Sequence, residues 1–545
     1  MTGAAAGVFA MDHALDHARA TAEQAIHGLT GRGNPRAQPS PGGLAIQPLW
    51  EVTSRDTKLK CFIDPQHDVT TDDVRQAARE GYASVEHMKR YTTLGMATDQ
   101  GKVGGVVGLA LLADALDQSI PETGITTFRP PYVPIPIGAF AGRMAGHHWR
   151  PIRRTPMAEV HETSGTQFLD VGVWKRAWWH PAHEGEPLDT AYVREATAVR
   201  ECVGMVDVTT LGKISVQGPD AAEFLNRVYV NGFAKLPVGK CRYGVMLRDD
   251  GMVYDDGVTW RLGEEEFLMT ATTANAAGVM SWLETLLQTR WPELKVHVAS
   301  TTDQWAGVAV AGPKAREVLS PLIGDDLSGE ALPFMGLMRT TLTVEGGEIP
   351  VIVARISFSG ELAYEVMCPS DWGGAMWQSL LGAVEGAGGC AYGVEALGAL
   401  RIEKGHVTGS ELDGRVTLED AGLGKMASTK KPFIGAALRH RPDMTRPDRP
   451  QLAHFMPMAH GERFKIGGVV CHPDELSGHG VGWITGVTVA PALGGQWLGI
   501  GFIEGGPDAW KDRHAVIADP VRGTQTRVRV VSPHQFDPKG ERMHG

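Results

Sequence analysis

The stretch K-I-S-V-Q-G-P-D-A-A-E-F-L-N-R-V, residues 213–228, decides the fold. A second stretch of the same pattern, G-V-A-V-A-G-P-K-A-R-E-V-L-S-P-L, occupies residues 307–322. In both, alternating strand residues lead into a Gly-Pro turn and then into an amphipathic helix. The first turn of a helix tolerates a proline because its N–H groups have no partner there, so we expect both prolines in first helical turns. This internal repeat predicts two related α/β units, at residues 155–300 and 301–445.

After the second unit, short β-type runs are separated by glycine and proline. They lie at residues 467–471, 481–489, 498–503 and 526–531. Short strands at this spacing, with turn residues between them, are typical of a closed all-β architecture. We therefore predict a small C-terminal β-barrel over residues 446–545.

The region before the two units is predicted to be mainly helical. From Thr70, T-T-D-D-V-R-Q-A-A-R-E-G has an N-cap threonine, acids in the first turn and a terminal glycine, and a second helix is expected from Ser84 through Arg90. This connecting domain, residues 50–154, has a proline-rich and therefore extended exit. Residues 1–49 hold an Ala-rich helix, at about residues 11–28, and a flexible linker rich in Pro, Gly and Ser. The prolines of the exit are Pro130, Pro131, Pro134, Pro136, Pro151 and Pro156.

The composition is that of a folded, multidomain protein. The chain has 545 residues, which corresponds to about three to four domains. Apolar residues make up 43% and charged residues 21%, unlike the composition of disordered chains. The net charge is 52 − 63 = −11, and DNA and RNA binding depends on clustered Lys and Arg. Nucleic-acid partners are therefore not expected.

Cysteine usage and apolar runs indicate the compartment. The cysteines are far apart and form no C-x-x-C pair, as expected for reduced thiols of a cytoplasmic protein. The N-terminus has no signal-peptide pattern, and the longest apolar stretch, residues 103–113, is too short to cross a bilayer. We therefore expect a cytoplasmic protein without membrane association. The six cysteines are Cys61, Cys202, Cys241, Cys368, Cys390 and Cys471.

Several common site motifs are missing. The sequence contains no P-loop, no strict G-x-G-x-x-G and no H-E-x-x-H. The glycine-rich G-K-V-G-G-V-V-G, residues 101–108, follows A-T-D-Q and not a strand, which favours helix-packing glycines over a phosphate site. The histidines lack metal-ligand spacing, so no metal site is predicted.

The segment from Arg242 to Trp260, R-Y-G-V-M-L-R-D-D-G-M-V-Y-D-D-G-V-T-W, carries two acidic pairs between two β-type runs. The first pair belongs to a D-G turn. The second pair, Asp255 and Asp256, enters a strand, where adjacent side chains point to opposite faces. One carboxylate can therefore be buried against a ligand and transfer a proton. The alternative, a solvated strand end, stays open.

A second candidate is R-I-S-F-S-G-E-L-A-Y-E-V, residues 355–366, in which a Ser/Gly turn joins two strand runs. Glu361 and Glu365 are four residues apart, and in a strand they would face the same side. A hairpin with exposed acids is the alternative.

The two motifs resemble the folate-dependent aminomethyltransferase family, which includes the T-protein of the glycine cleavage system. Gly251 to Asp256 matches the family's Gly-x-x-x-Asp-Asp, and Phe358 to Glu365 matches its aromatic-Ser/Thr-Gly-Glu-x-x-x-Glu hairpin. The resemblance is closer to the carboxy-terminal half of the alpha subunit of heterotetrameric sarcosine oxidase. It extends from about residue 50 to the end, through residues 84–102, 126–132, 172–176, 207–214, 400–405 and 536–542.

The resemblance implies an α+β fold in which a small helical domain precedes a ring of three domains, two α/β units and a β-barrel, with tetrahydrofolate in the central hole. Asp255 is carried over as the catalytic aspartate, which would accept a proton from a folate nitrogen. Glu365 would accept the pterin N–H edge, and Tyr243 and Trp174 would flank the rings, although core packing is an equal alternative for each aromatic. The remaining residues assigned to cofactor binding are Asp256, Phe358, Glu361 and Arg401.

The implied activity is one-carbon transfer within a heteromeric complex. A flavin-containing beta-like oxidase subunit, with small accessory subunits, would oxidise an N-methyl amine to a methylene iminium. This chain would capture that group as 5,10-methylenetetrahydrofolate, and flavin would be bound only by the partner subunit. A stand-alone tetrahydrofolate-dependent demethylating methyltransferase and a non-catalytic scaffold are the alternatives.

Three departures from the resemblance stand out. The dinucleotide-binding half of the alpha subunit has no counterpart here, and residues 3–26 resemble only its last strand and helix, so we interpret residues 1–49 as a remnant. Leu397 stands where the T-proteins have a pterin-contacting arginine, which favours the oxidase-like branch. Residues 409–415 also differ from the oxidase pattern, which suggests a different delivery of substrate.

Overall fold

A computed structural model describes residues 6, 8, 10–37, 48–53, 59–144, 151–476 and 479–545. The chain forms two compact units, residues 1–149 and residues 150–545. Most of the predicted linker lies outside the described residues. The helices and strands of the first unit are α1 Met11–Thr30, β1 Phe62–Asp64, β2 Val69–Thr70, α2 Thr71–Arg79, α3 Val85–Thr92, α4 Gly105–Ala115 and α5 Ile120–Thr123.

The first unit is mainly helical, as the sequence predicts. Thr70 caps α2 in a capping box with Asp73, and α3 begins after Ser84. The glycines before and within α4 allow close packing, because a Cβ at Gly104 would lie 2.1 Å from a backbone oxygen and one at Gly108 would lie 2.2 Å from a leucine methyl. The expectation of an extended chain after the prolines was wrong in one stretch, Ile137–Met144, which is a 3-10 helix.

The second unit contains two β-sheets, a hairpin and a barrel. Its strands are β3 Gln167–Val171, β4 Trp174–Trp179, β5 Gly204–Asp207, β6 Gly212–Gln217, β7 Lys240–Leu247, β8 Val253–Arg261, β9 Glu266–Ala271, β10 His297–Ser300, β11 Trp305–Ala311, β12 Leu337–Val344, β13 Gly347–Ala354, β14 Ala363–Pro369, β15 Cys390–Ala391, β16 Pro450–Pro457, β17 Val469–Cys471, β18 Gly482–Ala490, β19 Gln496–Glu504, β20 His514–Asp519 and β21 Thr524–Val531. Its helices are α6 Ala158–Thr163, α7 Leu188–Glu201, α8 Ala221–Val228, α9 Ala276–Thr285, α10 Ala315–Leu319, α11 Gly373–Gly386, α12 Val394–Lys404, α13 Gly506–Ala509 and α14 Glu541–His544.

The strand orders confirm the predicted α+β class. The first sheet has the order β10-β6-β9-β8-β7 and the second the order β12-β13-β14-β11-β5-β15. The last six strands close a barrel in the order β16-β19-β18-β17-β20-β21, which confirms the C-terminal barrel and adds β16 and β20 to the four runs seen in the sequence. The predicted division at residue 300 is crossed by one strand, because β5 pairs with β11 in the second sheet.

The two sheets pack face to face, with helices outside. Cys241 and Trp260 of the first sheet share a core cluster with Leu337, Ile352 and Met367 of the second. The opposite face of the first sheet is covered by α8 and α9, and that of the second by α10 and α11. Residues that point into the space between the sheets are therefore shielded from bulk solvent on both sides.

The Gly-Pro turns of the internal repeat are not explained by a proline in the first helical turn, as was expected. α8 begins at Ala221 after an N-cap at Asp220, so Pro219 precedes the helix and does not lie in its first turn. The glycine is the constrained residue: Gly218 and Gly312 have φ of +130° and +133°, and a Cβ at either would come within 2.6 Å of a backbone oxygen. The turn therefore needs a residue with no side chain.

Candidate functional site

The two carboxylates of β8 lie on opposite faces of the first sheet, as predicted. Asp255 is paired with Met246 of β7, and Asp256 with Val245. Directly opposed residues of an antiparallel pair share a face. Met246 packs in the cluster beneath α8 and α9, so Asp255 is turned toward these helices, while Asp256 is turned to the face that bears Val245.

The hydrogen bonds agree with this assignment. Oδ2 of Asp255 accepts from the backbone N–H of Thr272, at 3.2 Å, close to the start of α9. Oδ2 of Asp256 accepts from the hydroxyl of Tyr243, at 2.8 Å. Of the two carboxylates, the structure therefore brings Asp256, and not Asp255, together with the predicted aromatic Tyr243.

The surroundings of Asp256 suit it to proton transfer. Burial, together with the charges of Asp255 and Glu411, raises its pKa to about 7, against the opposing hydrogen bond from Tyr243. Burial also raises the pKa of Asp255, but the hydrogen bonds from Thr272 and Asn275 oppose this. A carboxyl group with a pKa near 7 can both accept and return a proton at neutral pH.

Glu365 faces the first sheet from the second sheet. It alternates along β14 with Tyr364 and Val366, which pack toward the outer helices, and it shares its face with Met367, which packs against the first sheet. Its Oε2 is buried and has no hydrogen-bond partner among the described residues. An unpaired buried acceptor is costly, so this oxygen is a natural partner for N–H donors of a bound molecule.

Glu361 does not face the site with Glu365, and the argument from strand alternation was wrong. β14 begins at Ala363, so Glu361 belongs to the preceding turn. Its carboxylate is buried between two arginines, 2.9 Å from Nη1 of Arg200 and 2.8 Å from Nε of Arg542. Glu361 therefore ties α7 to the C-terminal segment.

Arg401 and Phe358 make other contacts. Arg401 donates to Glu411 at 2.7 Å and so fixes the loop after α12. The carbonyl of Phe358 lies 3.0 Å from Nδ1 of His406, and its half-exposed ring lies near the same imidazole. Trp174 is buried on the β3–β4 hairpin, where the guanidinium of Arg153 lies 4.2 Å from its ring.

The departure at residues 409–415 has a structural role. Glu411 is fully buried and accepts from the backbone N–H of Thr408 and from the hydroxyl of Thr485 in the barrel, in addition to Arg401. This glutamate therefore joins α12, its following loop and β18.

Sequence reasoning missed Lys213 of β6. Its side chain is fully buried, and it stands in a strand between Gly212 and Ile214. The sequence carried little signal, because Lys213, Ser215 and Gln217 alternate with the apolar Ile214 and Val216, as in a strand with one exposed face.

Within the described ranges, no group of three or more His, Cys, Asp or Glu could hold a metal ion. Among the helices that the structure describes, none has the length and apolar character needed to cross a membrane.

Comparisons with known proteins identify relatives of both units. The family described as "GCVT N-terminal domain" matches residues 157–431, and "Sarcosine oxidase A3 domain" matches residues 58–143. "Sarcosine oxidase subunit alpha" of Rhizobium meliloti (strain 1021) is 44% identical over 503 residues, 91% of this chain and 50% of that one. This chain thus spans about half the length of the alpha subunits that it matches.

Shorter relatives match the second unit. "Aminomethyltransferase" of Corynebacterium jeikeium (strain K411) is 32% identical over 298 residues, 52% of this chain and 73% of that one. The crystal structure of the glycine cleavage system aminomethyltransferase T from Bartonella henselae superposes with a TM-score of 0.59 at 22% identity, over 72% of this chain and 99% of that one. That likeness shows the fold.

Proposed function

The chain belongs to the aminomethyltransferase family, and from this premise we propose that it is the tetrahydrofolate-dependent one-carbon transfer subunit of a heteromeric, flavin-linked N-methyl amine oxidase. The observation that carries the proposal is the pair formed by Tyr243 and Asp256, on the face of the first sheet that also bears Cys241, together with the buried, unpaired oxygen of Glu365 on the face of the second sheet turned toward the first. One wall thus offers a group for proton transfer and the other an acceptor for N–H donors.

The residues present fit a reduced pterin. Glu365 would accept from the amide and amine N–H groups at the edge of the pterin, as carboxylates do for amidine-like donors. Asp256 would accept the proton that a folate nitrogen loses when it bonds to the one-carbon unit. Tetrahydrofolate supplies the nucleophilic nitrogens that take up this unit as 5,10-methylenetetrahydrofolate.

The other predicted residues have supporting roles in this proposal. Asp255, the sequence-based candidate for the catalytic aspartate, holds the start of α9 through Thr272 and adds negative charge beside Asp256. The aromatic rings of Tyr243 and Trp174 would flank the ligand. Phe358, Glu361 and Arg401 shape the loops around it.

The proposed partners are supported by the names of the relatives. Two of them are named as alpha subunits of sarcosine oxidase, which supports a complex of several subunits and an N-methyl amine such as sarcosine as the substrate. We propose that the complex includes a flavin-containing oxidase subunit and small accessory subunits. In this assignment flavin is bound by the partner. The six cysteines, all within described segments, are free thiols, which supports a cytoplasmic location.

Calorimetric titration of the purified full chain with folinate tests the proposal. We expect one folinate per chain and no flavin absorbance, and Glu365→Gln should weaken binding about tenfold or more, since a charge-assisted hydrogen bond is lost. Glu348→Gln, at an exposed residue of β13 in the same sheet, is the matched control and should bind as the parent chain does. Absence of folinate binding, or a stoichiometric flavin in the purified chain, would contradict the proposal.

A further inference from the structure

Lys213 is a buried cation that the proposed reaction does not use directly. Along β6, Ile214 and Val216 pack toward the helices, so Lys213 projects from the opposite face of the sheet, into the intersheet space. Its side chain is fully buried. Burial of an ammonium group is expensive unless partners compensate for it, so its position calls for a reason.

The hydrogen bonds of Lys213 compensate for part of the cost of burying its charge. Nζ donates to the carbonyl oxygens of Thr209, at 2.5 Å, and Leu211, at 3.1 Å. An ammonium group has three N–H donors, so two neutral acceptors leave one donor and the net charge uncompensated. The compensating charges come from acids on neighbouring elements.

One of these acids is Asp207, at the end of β5. Burial works to raise its pKa, but hydrogen bonds from His161, Thr209 and Thr155 outweigh burial and leave the pKa below its usual value. Asp207 is thus a carboxylate whose partners are already in place. It helps to keep Lys213 charged.

A second acid is Glu365, whose Oε2 has no partner among the described side chains. Thr209, which accepts from Lys213 through its carbonyl oxygen, is hydrogen-bonded through its side chain to Gly307 of β11, and two residues further along β11 Ala309 lies opposite Glu365. Burial raises the pKa of Glu365 to about 7, and the charge of Lys213 acts against this rise. Burial lowers the pKa of Lys213 to about 8, so the ammonium form persists at neutral pH. Charges interact strongly across a shielded space of low dielectric constant even without a direct hydrogen bond.

We propose that Lys213 is a positioning residue of the ligand site, which holds Glu365 in its carboxylate form through the charge of its ammonium group. The proposal rests on the proposed function, because the carboxylate is what would accept the N–H edge of a pterin. A protonated Glu365 would offer one donor and lose half of this acceptor capacity. Lys213 would therefore set the pH range in which the site binds its ligand.

Other charged and titratable groups lie around Lys213 and Glu365. The charge of Arg176 acts to lower the pKa of Lys213. The charge of Glu365 acts to raise the pKa of the Cys241 thiol and of the Tyr392 hydroxyl. The charged or titratable groups concerned are Asp207, Asp303, Arg176, Cys241 and Tyr392. Since Asp256 also titrates near neutral pH, a pH profile alone is ambiguous, and a double-mutant cycle with Glu365 is needed.

The experiment compares folinate binding by the full chain and by Lys213→Met, Glu365→Gln and the double variant between pH 6 and 9. Lys213→Met should weaken binding at pH 7 about tenfold for each unit by which the Glu365 pKa rises, and the loss should shrink as the pH increases. In the Glu365→Gln background, Lys213→Met should cause no further pH-dependent change. Lys295→Met, at an exposed lysine that follows the same sheet's outer helix, should leave the profile unchanged.

A second measurement needs no folinate. Infrared titration of the ligand-free chain, with the Glu365→Gln spectrum subtracted, reports the ionisation of Glu365 directly. We expect a carboxylate at pH 8 in the parent chain and a higher midpoint in Lys213→Met. A protonated Glu365 at pH 8 in the parent chain, or equal loss of folinate affinity at every pH, would overturn the role of Lys213. Failure of the parent chain to bind folinate at any pH would instead count against the proposed function, while the infrared result would still decide the role of Lys213.

Discussion

The hydroxyl of Tyr243 donates a 2.8 Å hydrogen bond to Asp256, while the adjacent Asp255 accepts from the backbone of Thr272 on the other face of the sheet. Two neighbouring carboxylates therefore have different environments. Asp255 is turned toward the helix layer, and Asp256 is turned to the opposite face of the sheet. This difference gives the substitutions at the two positions different expected outcomes.

Asp256→Asn should lower methylene transfer about 10²- to 10⁴-fold, because it removes a general base while keeping the size of the side chain. In the proposed complex, oxidation of the amine by the flavin subunit should continue, so formaldehyde should replace 5,10-methylenetetrahydrofolate as the product. The ratio of the two products in the reconstituted complex is the measurement. Asp255→Asn is the matched control with a smaller effect, and the reverse order would return the catalytic role to Asp255.

The rate of methylene transfer should fall as the pH drops through about 7, because Asp256 must be ionised to accept a proton and its pKa is raised to about that value. Tyr243→Phe removes a hydrogen bond that lowers this pKa, so the acidic limb of the profile should move to higher pH. Tyr254→Phe, on the same strand as Asp256, serves as the control and should leave the limb in place. A limb that does not move in Tyr243→Phe would mean that another group controls it.

The alternation of the two aspartates could be predicted from the sequence, but not the face that each one takes. The register of β7 and β8 shifts between Met246 and Leu247, so an extra residue is inserted in β8 just before the acidic pair. Such a bulge depends on pairing with another strand and has no local signature here. The side that is covered by helices is likewise fixed only by tertiary packing.

The same limit explains the outcome at the second motif. A local pattern correctly predicted a turn followed by a strand, but the first residue of that strand, Ala363, sets the alternation, and Glu361 lies before it. The partners of Glu361, Arg200 and Arg542, are distant in sequence. Glu365 was identified correctly as a strand residue, yet the cation that acts on it, Lys213, comes from the other sheet. Local sequence patterns do not predict contacts between the two sheets.

Arg200→Met should destabilise the second unit by about 3–5 kcal/mol, because it leaves two buried carboxylates without their shared cation. Arg200 is buried and contacts Glu361 at 2.9 Å and Glu403 at 2.7 Å. Arg542→Met should have a smaller effect, since the side chain of Arg542 is 44% exposed and Glu361 keeps Arg200. Urea unfolding of the parent chain and both variants measures the difference, and equal losses would contradict a central role of Arg200.

Gly312→Ala should destabilise the chain more than Gly346→Ala does. Both glycines have positive φ, +133° and +97°, so both substitutions carry backbone strain of about 1–3 kcal/mol. A Cβ at position 312 would also lie 2.6 Å from the carbonyl oxygen of Cys202, whereas nothing lies within 4 Å of one at position 346. Unfolding midpoints give the comparison, and a smaller loss at position 312 would show that its turn can relax.

Removal of residues 1–149 tests the division of labour between the two compact units. The residues that form the proposed ligand site all lie in residues 150–545, so the shortened chain should bind folinate with the affinity of the full chain. The match to the sarcosine oxidase domain lies in the first unit and the match to the aminomethyltransferase domain in the second, so we expect removal of the first unit to abolish association with the proposed flavin subunit. Size-exclusion chromatography of the mixed subunits and calorimetric titration with folinate measure the two properties separately. A shortened chain that keeps its partner but loses folinate would show that the two roles are assigned to the wrong units.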